Sequence, residues 1–124
     1  ALARRADVSS VVALVRAKDA AAAMARLRQA CAARIIDGSA DFEQWFGKVA
    51  AVPGEVGSAQ FNLSDAEYER LAASVDAVVH AAAEVNMLKP ASILAPTNVG
   101  GTARVLSLCL HAAIPLLFTS TILP

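Results

Sequence analysis

Short apolar runs alternate with helix-forming stretches along this chain, and that order predicts an α/β fold built on a doubly wound parallel sheet. Three observations carry the prediction. Val11-Val12-Ala13-Leu14-Val15 is continuously apolar, as suits a strand buried on both faces of a parallel sheet. Residues 18–33 are rich in alanine, and Met24, Leu27 and Cys31 recur there at helical spacing while Arg26, Arg28 and Arg34 fall elsewhere. Residues 75–80 and 115–119 are two further apolar runs with a second helical stretch between them. Strands alternating with helices are joined by right-handed crossovers, so the strands run parallel.

The remaining elements follow in order. Asp37-Gly38-Ser39 breaks the first helix, and Phe42, Trp45 and Phe46 anchor a loop or a short helical turn. Residues 48–53 read as a second strand that stops at Pro53, which cannot donate to a ladder. Ser64 and Glu67 form a capping box, so a helix is expected to start there and to run through Leu71. The third strand is residues 75–80. Pro96 suits the first turn of the next helix, where its missing N–H costs little, and that helix should reach about Ala113. Residues 115–119 complete the series as the fourth strand. No internal repeat or low-complexity linker interrupts it.

Composition narrows the function classes. A chain of 124 residues with 56% hydrophobic content has the length of one domain and the material for a core. Eleven basic and 11 acidic residues balance, so no net field draws the chain to nucleic acid or to an anionic membrane. Binding one phosphate still needs only one or two well-placed cations. Cys31 and Cys109 lie far apart without a CxxC or a His-rich cluster, which argues against zinc, and two cysteines are too few for a disulfide scaffold. Both read as reduced core residues. The most apolar stretch, residues 105–118, contains His111 and Pro115 and is shorter than the roughly 20 residues a spanning helix needs. The first residues hold neither a methionine start nor an apolar signal core, and read as the tail of a helix.

The chemistry concentrates after the third strand. Val78-Val79-His80 leads through Ala81-Ala82-Ala83 to Glu84-Val85-Asn86, and a helix then opens around Asn98-Val99-Gly100-Gly101-Thr102. Side chains no larger than a methyl let a flat ligand lie against the backbone, and the carboxyl end of a strand is where open α/β sheets receive dinucleotides.

Taken in order, Leu14-Val15-Arg16-Ala17, Gly54-Glu55-Val56, the Leu63-Ser64 turn before Tyr68 and Leu71, Val75-Asp76 leading to His80 and Asn86, Asn98 to Thr102, and Ser120-Thr121 resemble the thioester reductase family. These are NADPH-dependent enzymes of the extended short-chain dehydrogenase type. They form the terminal reductase domains of nonribosomal peptide and polyketide synthases, with carboxylic acid reductases and fatty acyl reductases among their relatives. Each motif is weak by itself; their number and order make the resemblance, which covers about Val11 to Thr121. It implies a Rossmann-like doubly wound parallel sheet and a cytoplasmic enzyme. The implied substrate is an acyl or peptidyl chain held as a phosphopantetheine thioester on a carrier protein, released as an aldehyde or alcohol.

The resemblance also assigns residues. Arg16, just past the first strand, would accept the 2′-phosphate of NADPH where an acidic residue would bind the hydroxyl of NAD, and Lys18 would assist. Gly54-Glu55-Val56 occupies the place of a Gly-Asp-Leu beside the adenine; glutamate is one methylene longer than aspartate, and the Val56 backbone would meet the base edge. His80, Ala81, Ala82 and Ala83 would form the wall beneath the nicotinamide ribose and pyrophosphate, with no acid–base work for His80. Asn98 matches the asparagine that opens the following helix and supports the active-site loop. Thr121 matches the catalytic hydroxyl, which polarises the carbonyl as a donor aimed at a developing oxyanion. Each position has a plainer structural reading too. Arg16 also reads as a solvated strand end, Gly54-Glu55-Val56 as an ordinary turn, His80 as a hydrogen-bonded strand-end histidine and Asn98 as a helix cap. The Ser120-Thr121 hydroxyls, apart from the resemblance, also read as partners for backbone groups.

Two parts of the family pattern are absent: a glycine-rich strand-to-helix turn before Ala1 and a Tyr-x-x-x-Lys pair after Pro124. Tyr68 does not replace that tyrosine, since it lies inside the capped helix and position 72 is alanine. The chain is therefore expected to be an internal fragment, the central part of one NADP-binding domain over residues 1–124, with its sheet incomplete. In the family's strand order the missing strand lies between the first and third strands seen here. Exposed inner edges should then make the isolated chain unstable and inactive. Two alternatives remain open: an extended dehydrogenase acting on nucleotide sugars, and a non-catalytic nucleotide- or partner-binding module.

Overall fold

The computed structural model describes residues 2–34 and 41–120. The chain forms two compact units, Ala1–Glu55 and Val56–Pro124. The parallel sheet expected from the sequence is present as two separate two-stranded pieces, one in each unit.

In the first unit, β1 (Val11–Val15) pairs in parallel with β2 (Val49–Pro53), Val11 opposite Val49 and Val15 opposite Pro53. The crossover contains α1 (Ala20–Ala32) and the short α2 (Phe42–Phe46). Asp19 caps α1 by accepting the Ala22 N–H at 2.7 Å, and Ala23 is fully buried on the face that packs against the strands. The aromatic residues do build a helical turn. Phe42 stacks on Phe46 at 5.1 Å and meets Trp45 edge-on at 4.9 Å, and the Arg28 guanidinium lies over both phenyl rings while pairing with Glu43. The break expected at Asp37-Gly38-Ser39 lies outside the described residues. One expectation is corrected: β1 is not buried on both faces, because its residues are half-buried and Leu14 is exposed. Two strands and one packed helix do not enclose a strand as a full doubly wound sheet does.

The second unit holds α3 (Asp65–Ser74), β3 (Val78–His80), α4 (Ala91–Ala95), a π-helical segment (Pro96–Gly100), α5 (Gly101–Ala112) and β4 (Leu116–Phe118). The capping box forms as expected. Ser64 N donates to Glu67 Oε2 at 2.9 Å and Glu67 N to Ser64 Oγ at 3.4 Å, and the Ser64 hydroxyl holds the Glu67 carboxyl below the usual carboxylate range. The helix then runs one turn beyond Leu71. β3 pairs in parallel with β4, His80 opposite Phe118. It is shorter than expected because the ladder begins only where Val78 N reaches Pro115 O at 3.0 Å. Phe61, Ala72, Val105, Leu108 and Cys109 form the core, with Leu71, Val78 and Leu116 packed around it. Phe61 enters that core from a 3₁₀ turn (Ala59–Asn62) in which Gln60, Phe61 and Asn62 all hold positive φ.

The helix after β3 differs most from expectation. Pro96 is not in its first turn; helical structure begins at Ala91 behind Pro90 and passes through Pro96 into α5. A proline inside a helix lacks the N–H for an i→i−4 bond, and here the backbone accommodates it by widening into the π segment that Pro96 itself opens. The run Ala91–Ala112 is thereby long and apolar enough to cross a membrane by length and composition alone. Its Val105, Leu108 and Cys109 nevertheless fill the core of this unit, as a packed helix of a globular fold does.

Candidate functional site

In the first unit the candidate residues gather at the carboxyl ends of β1 and β2. The register sets Val15 beside Pro53, and Gly54 N donates to Val15 O at 3.0 Å, so the residues just beyond each strand are neighbours. Arg16 is exposed, and its Nη2 lies 2.7 Å from Glu55 Oε1. Its own carbonyl accepts a hydrogen bond from Arg26 Nη1 at 2.8 Å, which ties the strand end to α1. Lys18 stands outside α1, because Asp19 is the cap, and its ammonium is 3.9 Å from Asp19 Oδ2. An exposed guanidinium at a strand's carboxyl end is chemically suited to a phosphate, which it can meet with paired N–H donors.

In the second unit His80 ends β3 and is 3% exposed. Its Nε2 is 3.0 Å from Thr102 Oγ1, and the Thr102 hydroxyl donates to Asn98 O at 2.6 Å. A hydroxyl has one proton; with that proton on the Asn98 carbonyl, His80 Nε2 carries its own and donates to Thr102. Burial lowers the imidazole pKa, so the ring is held neutral with Nδ1 unprotonated. The His80 carbonyl is engaged as well, accepting from Thr119 N at 3.0 Å and Thr119 Oγ1 at 3.1 Å.

Ala81, Ala82 and Ala83 follow in irregular, exposed backbone. Asn98 fixes what comes next: Glu84 N donates to Asn98 Oδ1 at 2.8 Å and Asn98 Nδ2 donates to Glu84 O at 3.0 Å. Asn98 is therefore not a helix cap. It lies within the π segment, and both ends of its amide grip the loop backbone. Farther along the loop, Lys89 pairs with Glu84 and Leu88 N donates to Asn86 Oδ1 at 3.0 Å. Val56 packs against the start of α5, where a Cβ on Gly101 would come within 3.2 Å of both Val56 methyls. The close approach of that turn to α5 depends on the glycine.

The arrangement fits a dinucleotide's flat half: an exposed shelf of methyl-sized side chains, held at one end by a buried histidine and at the other by an asparagine clamp. Two partners in it were not anticipated from sequence. Thr102 is the acceptor for His80, and the Glu84 backbone is the object of the Asn98 clamp. The four-residue spacing of Asn98 and Thr102, which puts them on one helix face, was the available signal. Thr121, the expected catalytic hydroxyl, lies outside the described residues. Tyr68 is inside α3, packed on Phe61 at 6.0 Å between ring centres, and burial pushes its phenol pKa up. Burial likewise raises the Cys109 thiol, so it is a core residue rather than a nucleophile. Among the described residues no three His, Cys, Asp or Glu side chains converge as metal ligands.

Comparison with known proteins gives the arrangement a context. The model of the NAD-binding family described as "Male sterility protein" matches residues 1–123. The large subunit of L-2-aminoadipate reductase from Penicillium chrysogenum is 44% identical over 108 residues, covering 87% of this chain and 7% of that protein. Carboxylic acid reductase from Segniliparus rugosus is 37% identical over 114 residues, covering 90% of this chain and 10% of its own length. Among solved structures, the terminal R domain of the myxalamid PKS-NRPS biosynthetic pathway superposes with a TM-score of 0.85 at 31% identity, over 97% of this chain and 30% of that one. The chain thus spans a tenth or less of the length of these two curated relatives.

Proposed function

The chain belongs to the NAD-binding family described as "Male sterility protein", and from that membership we propose that it forms the central part of an NADPH-dependent thioester reductase. The reaction is the reductive release of an acyl or peptidyl chain, held as a phosphopantetheine thioester on a carrier protein, as an aldehyde or alcohol. The supporting observation is the exposed Ala81–Ala82–Ala83 shelf held between buried His80 and the Asn98 clamp. The likeness to the terminal R domain of a PKS-NRPS biosynthetic pathway and to a carboxylic acid reductase agrees with it.

When bound, NADPH would supply the hydride for reduction of the thioester carbonyl, with the thiolate of the carrier as the leaving group. The residues of this chain have positioning tasks around that event. Arg16 presents its guanidinium to the 2′-phosphate, with Lys18 adding positive charge nearby. The alanines leave room for the nicotinamide ribose, and a larger side chain at any of them would occupy that space. His80 is committed through Nε2 to Thr102 and is held neutral, so its task is to fix the end of β3 rather than to carry a proton. Asn98 holds the loop backbone at Glu84. Thr121 is the proposed hydroxyl that hydrogen-bonds the reacting carbonyl oxygen as negative charge grows there.

The test is direct. The full-length protein, given a carrier-bound acyl thioester, is expected to oxidise NADPH with formation of aldehyde or alcohol and free carrier thiol. Absence of NADPH oxidation above background, with NADH equally inert, contradicts the proposal.

A further inference from the structure

Glu55 has a charged partner within its own unit. Its carboxylate turns to the neighbouring strand end and pairs with Arg16, Oε1 to Nη2 at 2.7 Å. The strand register makes this reach possible, since Val15 and Pro53 are partners and the backbone bond from Gly54 to Val15 carries the pairing one step further. Other charged groups nearby have different contacts: Arg26 donates to the Arg16 carbonyl, and Asp19 caps α1 with Lys18 beside it.

We infer that Glu55 is a specificity-determining residue, an internal competitor that occupies the Arg16 guanidinium and so tempers the preference of this strand end for a 2′-phosphate. The inference rests on the proposed NADPH role of Arg16. A phosphate that takes the same N–H edge must displace the carboxylate or share the guanidinium with it, and the two anions repel. A 2′-hydroxyl carries no such charge, so the competition acts on NADPH and not on NADH. Both partners are substantially exposed, at 64% and 40% of their side-chain surface, so the pair is a weak one. Removing the carboxylate should therefore strengthen phosphate binding by roughly two- to fivefold.

Equilibrium titration of the full-length protein with ADP-ribose and with 2′-phospho-ADP-ribose, which differ only in that phosphate, tests the inference without turnover. Glu55→Gln is expected to tighten 2′-phospho-ADP-ribose by about two- to fivefold and to leave ADP-ribose unchanged. Glu55→Ala should act in the same direction, and neither change should matter when Arg16 is already alanine. Arg16→Ala by itself separates the two claims. If it weakens both probes equally, the NADPH reading of Arg16 falls, and this inference with it. If it weakens the phosphorylated probe selectively while Glu55→Gln leaves that probe unchanged or weakens it, Arg16 keeps its role and the inference is overturned. Equal weakening of both probes by Glu55→Gln would make Glu55 an adenine contact and would also overturn it.

Discussion

Replacing Thr102 by valine removes one oxygen at nearly constant volume, and the structure states what that oxygen holds. It accepts the Nε2–H of His80 at 3.0 Å and gives its own proton to the Asn98 carbonyl at 2.6 Å. His80 is 3% exposed, so water cannot take over the lost contact, and whichever nitrogen carries the proton, Nε2 then faces a methyl group. An unsatisfied buried polar group costs about 1–3 kcal/mol. Local opening of β3 and the start of α5 should become easier by that amount, which corresponds to amide exchange about 5- to 150-fold faster. Hydrogen exchange of the full-length protein, read on peptides covering β3, the following loop and α5, measures this. Thr102→Ser keeps the hydroxyl and should restore most of the protection. Exchange unchanged in the valine variant, or serine as damaging as valine, would refute the account of how His80 is held.

Further expectations follow from the same contacts. Asn98→Ala deletes both hydrogen bonds to the Glu84 backbone, each worth about 0.5–1.5 kcal/mol net, so exchange at the Glu84 amide should rise while α3 is unaffected; unchanged exchange at Glu84 would contradict the clamp. Lowering pH should weaken the same unit through His80. Its folded pKa is depressed by burial, so the unfolded chain binds the proton first, and stability present above the unfolded value of about 6.5 declines as pH falls from there towards the lower folded value. Exchange in β3 that is flat between neutral and mildly acid pH would contradict this. Ala113 ends α5 in the left-handed region at φ 55, where Ile114 N reaches back to Cys109 O at 3.0 Å. Glycine fits that position without the Cβ penalty, so Ala113→Gly should stabilise the end of α5 by about 1 kcal/mol in the same exchange measurement, and a loss of protection would count against it.

What could be read from the sequence was local chemistry. Val11–Val15 is a strand with the expected bounds because five apolar residues lie between a Ser-Ser pair and an arginine, and Ser64 with Glu67 announced α3 because a capping box needs only three residues' separation. The family resemblance supplied the expectation of a nucleotide-binding strand end and the order of the candidate residues. Contacts that depend on register or on distant chain were not readable. Glu55 meets Arg16 only because β1 and β2 pair in the observed register, and Asn98 meets Glu84 only because the helix begins at Ala91 and widens at Pro96. Pro96 itself misled, since a proline reads as a helix start from sequence, whereas a π segment lets it lie in the interior. The late start of the β3 ladder could not be read from Val75-Asp76-Ala77 either, because it is set by where Pro115 meets Val78.

On the proposed function, Arg16 at the end of β1 serves an NADPH-dependent reductase of carrier-bound thioesters. The most direct measurement supplies the full-length protein with a carrier-bound acyl thioester and follows cofactor oxidation and carrier thiol release together, with NADPH and with NADH. The account predicts that NADPH is consumed in step with release of the acyl chain as aldehyde or alcohol, and that Arg16→Ala loses far more activity with NADPH than with NADH. Thiol release without NADPH consumption, or equal losses with both cofactors, would contradict it.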